Sequence, residues 1–317
     1  MNDVAPQSQA QAQAQAQPQS PPQAQPEQPE QPVQPVQPVK PKKILVVSAH
    51  PGADSLNAAL TDVAVGRLRA AGHAVEVSDL YAMRWKATVD ADDFPGRPAR
   101  ERLHVMAASE RATLAGRLSA DVAAEQEKVT WSDAVVLQFP MWWFGPPAIL
   151  KGWIDRVFTA GFGYGPAVPP PYSEGALAGR RALVSVTAGA RESAFSDRGI
   201  HGRLADVLHP LQHGLFWFTG MAPLEPFAVY GANELPAERF EAARRAYEHR
   251  LDGLFSDAPV PFRSLVGGDY DHDMRLLPGV EAPGTGGLDL HVEPAAQASP
   301  DEPWSGARRT AVTATVA

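Results

Sequence analysis

An α/β protein with a doubly wound parallel sheet is what this sequence predicts, on three observations. Short unbroken apolar runs rich in β-branched residues recur along the chain, amphipathic helical stretches alternate with them, and small or aromatic residues gather where the runs end. A strand covered on both faces meets no water and so reads as a continuous apolar run. Strand and helix in alternation form right-handed crossovers, which place ligands at the carboxyl ends of the strands.

The first strand falls on residues 44–49, Ile-Leu-Val-Val-Ser-Ala. Leu56, Ala59, Leu60, Val63, Ala64, Leu68 and Ala71 then recur at helical spacing, with Asp54 or Ser55 as cap and Gly72 as stop. Strands follow at 74–78, 133–139, 182–187 and 224–230, making five in all. Helices are expected at 121–131, 146–158, 202–218 and 236–255, the last with Pro236 in its first turn. Residues 87–119 form a mixed insertion, expected over one edge of the sheet with a helix near 99–114.

Composition sets the limits. Residues 1–41 are nearly all Gln, Pro, Ala, Glu and Val, too little apolar surface to offset the entropy of ordering, so they are expected to be a disordered tail. The ordered domain is expected over 42–258, an extension packing on it or on a partner over 259–293, and a second disordered tail over 294–317. No secretory leader and no stretch of roughly 18 apolar residues is present, which predicts a cytoplasmic protein without a membrane span. The chain has no cysteine, which removes disulfides, thiolate metal sites, iron–sulfur clusters and thiol nucleophiles. Its net charge of −8, with no stripe of Lys and Arg, argues against a nucleic-acid partner.

Three strand ends carry chemistry. After the first strand, Ser48-Ala49-His50-Pro51-Gly52-Ala53-Asp54-Ser55-Leu56-Asn57 leads small and hydroxyl residues into a helix start, where free amides and the dipole suit a phosphate. No G-x-G-x-x-G fingerprint and no Walker lysine is present, so the phosphate belongs to another kind of nucleotide or the loop is an ordinary capped turn. The third strand runs into Gln138-Phe139-Pro140-Met141-Trp142-Trp143-Phe144-Gly145-Pro146-Pro147, aromatic planes against which a flat heterocycle stacks, although core packing or a subunit contact is an alternative use for them. The fourth ends in Thr187-Ala188-Gly189-Ala190, whose small side chains let backbone amides approach a ligand. His201 follows shortly after and is suited to proton exchange near neutral pH.

Taken together, residues 44–57, Ser78-Asp79-Leu80-Tyr81-Ala82-Met83, residues 125–158 and Gly199-Ile200-His201-Gly202-Arg203 resemble the NAD(P)H:quinone oxidoreductases, or DT-diaphorases, of the flavodoxin-like superfamily. The resemblance implies a five-stranded sheet of order 2-1-3-4-5 with helices on both faces. It also implies a homodimer with a site at each subunit interface, and FAD as cofactor, with FMN the alternative. NADH or NADPH is the implied reductant and a quinone-type molecule the acceptor, each binding in turn in a ping-pong cycle. By position, His50, Ser55, Leu56 and Asn57 match contacts to the flavin phosphates and adenylate, and Pro140, Met141, Trp143 and Phe144 match contacts to the flavin ring. Thr187, Ala188, Gly189 and Ala190 match the loop around the pyrimidine edge. Trp143, Phe144, Tyr164 and His201 match the substrate pocket, Tyr164 as a residue serving the partner's flavin in the implied homodimer, and His201 also matches the catalytic histidine. Phe195 stands where the family carries a tyrosine, Ala190 where it carries a glycine, and Pro166 where it carries an aromatic residue.

Two other readings compete. A zinc deacetylase would begin with a similar Ala49-His50-Pro51, but Gly52-Ala53 replaces its adjacent carboxylates, and Pro210 interrupts the His209/His213 pair. A flavin-binding regulatory subunit without significant turnover is compatible with Phe195 and with the tails.

Overall fold

The computed structural model describes residues 40–98 and 100–294, so the tails expected at 1–41 and 294–317 lie almost wholly outside the described residues. Strands β1 (Lys43–Ser48), β2 (Ala74–Asp79), β3 (Ala134–Pro140) and β4 (Arg181–Ala188) pair in parallel in the order β2-β1-β3-β4. The fifth position differs from expectation. It is filled by two segments, β5 (Ala222–Pro223) and β6 (Phe227–Tyr230), both parallel to β4, so the sheet has six strands in five positions. Between the pairs Ala182↔Pro223 and Ser185↔Phe227, β4 advances 185 − 182 = 3 residues and its neighbour 227 − 223 = 4. The extra residue bulges where Pro226 has no N–H to give the ladder.

Helices cover both faces because each strand sends alternate side chains to opposite sides. On one face Ile44, Val46, Val136, Leu183 and Phe227 meet α1 (Leu56–Ala70) and α6 (Ala237–Asp252) through Leu60, Ala64, Leu68, Ala243 and Tyr247. On the other, Leu45, Val47, Leu137, Phe139 and Val184 meet α3 (Ala120–Trp131), α4 (Ala148–Val157) and α5 (Leu204–Leu211). Each fully buried side chain of this kind contributes roughly 1.5–3 kcal/mol.

Helix limits follow local chemistry. Ser55 caps α1 by accepting the Ala58 amide at 3.1 Å, and Gly72, at φ +84°, reverses the chain toward β2. Pro236 sits at the cap of α6 rather than in its first turn. The helix expected at 202–218 starts at Leu204. Beyond Pro210, which cannot donate to the ladder, it widens into a π-helical turn over Gln212–Trp217.

In the insertion, α2 covers Val105–Leu114, shorter at its start than the expected helix, and Ala99 lies outside the described residues. Phe94, Ala108 and Ala112 give the insertion a small core of its own. An ion network around the buried Arg156–Asp93 pair fastens it to α4: Arg156 meets Asp93 at 2.8 Å and the exposed Asp121 at 2.7 Å, and lies 4.5 Å from the centre of the Trp85 ring. Gly152 permits the contact, since a Cβ there would lie 2.0 Å from the Ala87 carbonyl oxygen. Residues 259–293 lie along the domain. Val260 donates to the Pro223 carbonyl at 2.8 Å, and Arg203 grips both carboxylate oxygens of Asp289, at 2.7 and 2.9 Å.

Candidate functional site

The carboxyl edge of the sheet brings the ends of β1, β3 and β4 side by side. A buried chain of hydrogen bonds joins them. Gln138 of β3 donates from Nε2 to Asn57 Oδ1 at 2.9 Å, and Asn57 Nδ2 donates to Thr187 Oγ1 of β4 at 3.0 Å. Thr61, one turn further along α1, donates to the Asn57 carbonyl at 2.9 Å, and its hydroxyl pairs with Ser48 Oγ of β1 at 3.1 Å. All five residues are buried, and the Oε1 of Gln138 has no partner among the described residues. This network fixes the start of α1 against two strands, leaving the Leu56 and Asn57 amides as orphan donors of its first turn. Beside it, Gly52 donates to His50 Nδ1 at 3.0 Å. A cavity of about 500 Å³ opens there, lined by His50, Pro51, Ala53, Asp62, Asp79 and Tyr81.

The loop after β3 is built differently. Met141 donates to the Thr187 carbonyl at 2.8 Å, and Trp142 and Gly145 then exchange backbone hydrogen bonds at 3.0 and 3.1 Å. That closes a two-residue turn whose central residues, Trp143 and Phe144, take φ +50° and +62°. Asn-Gly is the usual occupant of such a turn, and the left-handed region costs other residues roughly 1–2 kcal/mol each. Both aromatic side chains are also left in water, Trp143 97 % and Phe144 51 % exposed. Strained backbone and exposed aromatic surface coincide here, the combination that collects at ligand clamps.

His201 reaches the same edge from the loop before α5. Its amide donates to the Ala194 carbonyl at 3.0 Å, and its ring lies edge-on 5.1 Å from Phe144 and tilted 5.0 Å from Phe195. Phe195 in turn packs 5.6 Å from Tyr230, whose hydroxyl is pushed up to about 12 by burial, with the Glu192 charge adding to the effect.

The residues singled out from the sequence therefore fall into two groups. His50, Ser55, Leu56, Asn57 and Thr187–Ala190 surround the polar network, and Pro140, Met141, Trp143, Phe144, Phe195 and His201 form the aromatic side. Tyr164 stands apart, with its ring on Phe218 at 6.5 Å. His209 and His213 stack at 4.7 Å. Among the described residues no three His, Cys, Asp or Glu side chains are grouped so as to hold a metal. Sequence reasoning included Gln138 and Ser48 in the strand-end segments without giving either a role, and passed over Thr61. The first two could have been found as polar residues inside or ending apolar strand runs that the sheet buries on both faces.

Comparison with known proteins agrees with this geometry. Residues 42–251 match the family model described as the flavodoxin-like fold. A ribosyldihydronicotinamide dehydrogenase-like protein of Penicillium crustosum is 42 % identical over 234 residues, covering 72 % of this chain and 86 % of its own. NAD(P)H dehydrogenase [quinone] 1 of Rattus norvegicus is 37 % identical over 222 residues, 70 % of this chain and 80 % of that one. A crystal structure from Klebsiella pneumoniae, assigned as a quinone reductase, superposes with a TM-score of 0.76 at 44 % identity, over 79 % of this chain and 99 % of its own.

Proposed function

The chain belongs to the flavodoxin-like fold family and, within it, to the quinone oxidoreductases, and from that premise we propose how its residues carry out the reaction. A reduced nicotinamide is the electron donor, a quinone-type molecule the acceptor, and a bound flavin the intermediate carrier, the two substrates occupying one pocket in turn. When bound, the flavin supplies two-electron exchange with each of them.

The observation that carries this reading is the pairing of a buried, hydrogen-bonded polar anchor with an exposed aromatic platform along one sheet edge. The residues fit a flavin. Orphan amides at the start of α1 suit its phosphates, and the unpaired Gln138 Oε1 is an acceptor for a ring N–H. Trp143 and Phe144 give it a flat surface to cover. His50, Ser55, Leu56 and Asn57 would hold the phosphate end, Thr187, Ala188, Gly189 and Ala190 the pyrimidine edge, and Pro140, Met141, Trp143 and Phe144 the ring. The cavity of about 500 Å³ beside His50 and Asp79 favours FAD over FMN, because it leaves room for an adenosine beyond the phosphates.

His201, held between Phe144 and Phe195, is placed to hand a proton to the ring edge or the quinone oxygen. Phe195 supplies packing alone, so the relay in this chain rests on His201. Tyr164, whose ring contact is with Phe218, we assign to the pocket of a second copy in a homodimer, as the family resemblance implies, with the exposed Trp142, Trp143, Phe144 and Ile200 near the interface. Among the described residues no helix is long and apolar enough to cross a membrane, and we infer a cytoplasmic site of action.

Steady-state kinetics with NADH or NADPH against a benzoquinone tests the order of events. Parallel double-reciprocal lines are expected, and intersecting lines would contradict the shared pocket. Chromatography of the flavin released by acid decides between FAD and FMN.

A further inference from the structure

Behind the wall of the flavin site lies a second cavity, of about 470 Å³, for which electron transfer has no use. Phe195, Leu204 and Tyr230 form its domain side, and Val260, Phe262 and Leu288 close it from the C-terminal extension. Phe195 is a party wall, 5.0 Å from His201 on one flank and 5.6 Å from Tyr230 on the other. The extension is firmly held there. Besides the Arg203–Asp289 pair, buried Arg263 bonds the Leu290 carbonyl at 2.9 Å and Asp269 at 2.6 Å. The volume lies within the range of small-molecule pockets.

The polar groups in the lining define the ligand. Gln212 is 3 % exposed, and its Nε2 donates to the Leu224 carbonyl at 2.7 Å, which fixes the orientation of the amide. Its Oε1 is left without a partner among the described residues. A buried acceptor of this kind is unfavourable unless something donates to it. Gln212 also opens the π-helical turn, a distortion frequent at functional sites. Glu225 lines the same cavity, and among the described residues no cation pairs with its carboxylate. The cation in the lining, Arg203, is already bound to two carboxylates, Asp206 and Asp289. Between apolar and aromatic walls the cavity thus offers acceptors and negative charge.

We propose that this cavity is a second binding site, for a flat aromatic molecule carrying a protonated amine or amidine. The ring lies on the apolar walls, and the N–H groups donate to Gln212 Oε1 and to Glu225. The test is ligand-observed NMR on the purified full chain with excess FAD, with tryptamine as the probe and indole-3-acetate as its anionic counterpart. Saturable tryptamine binding is expected, with indole-3-acetate weaker by about tenfold or more. Gln212→Leu and Glu225→Gln should each weaken tryptamine about tenfold without changing quinone turnover. Ala205→Trp, at an exposed position lining the cavity, should block binding while leaving the fold intact. His201→Ala should leave binding unchanged. The proposal is overturned by any of four results: no saturable binding, equal binding of the two indoles, indifference to all three cavity variants, or displacement by benzoquinone, which would put the probe in the flavin-side pocket.

Discussion

The two halves of the carboxyl edge solve opposite problems. Around Asn57 every strand end is tied by buried hydrogen bonds, with Gln138, Thr187, Thr61 and Ser48 all engaged before any ligand arrives. Around Trp143 the chain spends stability instead, holding two aromatic residues at positive φ with their rings in solvent. The first half is preorganised for polar recognition, and the second is completed only when something flat covers it. The lesson is that burial and satisfaction mark the part of a site that positions, whereas strain and exposure mark the part that receives.

The largest effect should come from breaking the anchored half. Asn57→Leu removes a donor and an acceptor at once, stranding Gln138 Nε2 and the Thr187 hydroxyl, and should lower stability by roughly 2–4 kcal/mol. Denaturant unfolding of the flavin-free chain measures it, and a loss well under 1 kcal/mol would show the network to be incidental. Next is His201→Ala, expected to lower turnover about 10²-fold while flavin binding stays within about twofold, because the role proposed for the imidazole is to handle a proton rather than to hold the cofactor. Loss of flavin together with activity would instead make His201 a binding residue.

The platform half should respond with opposite signs. Trp143→Gly relieves a left-handed aromatic residue and should stabilise the flavin-free chain by about 1 kcal/mol. The same change should weaken flavin binding about tenfold. Thermal unfolding with and without flavin reports both, and destabilisation of the flavin-free chain would mean that Trp143 supports the fold. Smaller still, Phe195→Tyr places a hydroxyl beside His201 and should raise turnover severalfold, by about tenfold at most; unchanged turnover would mean His201 needs no such partner.

Away from both halves, burial pushes His213 down to about 4, helped by the neighbouring His209 and His291, from 6.5 when unfolded. Between these values the unfolded chain binds the extra proton, so this contribution is present above pH 6.5 and is lost as pH falls toward about 4. His213→Phe should flatten that acid limb in thermal unfolding while leaving flavin binding near neutral pH unchanged.

Much of the scaffold was legible because a parallel sheet leaves its strands apolar on both faces, as residues 44–47 and 134–137 are. The break between β5 and β6 was signalled by Pro226 inside the expected strand at 224–230, with Pro223 just before it. On the platform, the aromatic cluster was visible in sequence, but the positive φ of Trp143 and Phe144 was not. It follows from the pairing of Trp142 with Gly145, which composition does not encode. The anchor was the least legible part. Asn57 and Thr187 are 130 residues apart, and nothing local to either names the other.

The claim at the centre, that this edge binds a flavin which a nicotinamide reduces and a quinone reoxidises, is tested most directly by the visible spectrum of the purified protein under anaerobic conditions. Bands that bleach on adding NADH or NADPH and return in full on adding a benzoquinone are the predicted result. Bands that neither cofactor bleaches would leave a flavin-binding protein without turnover, and no bands after adding FAD or FMN would contradict the account.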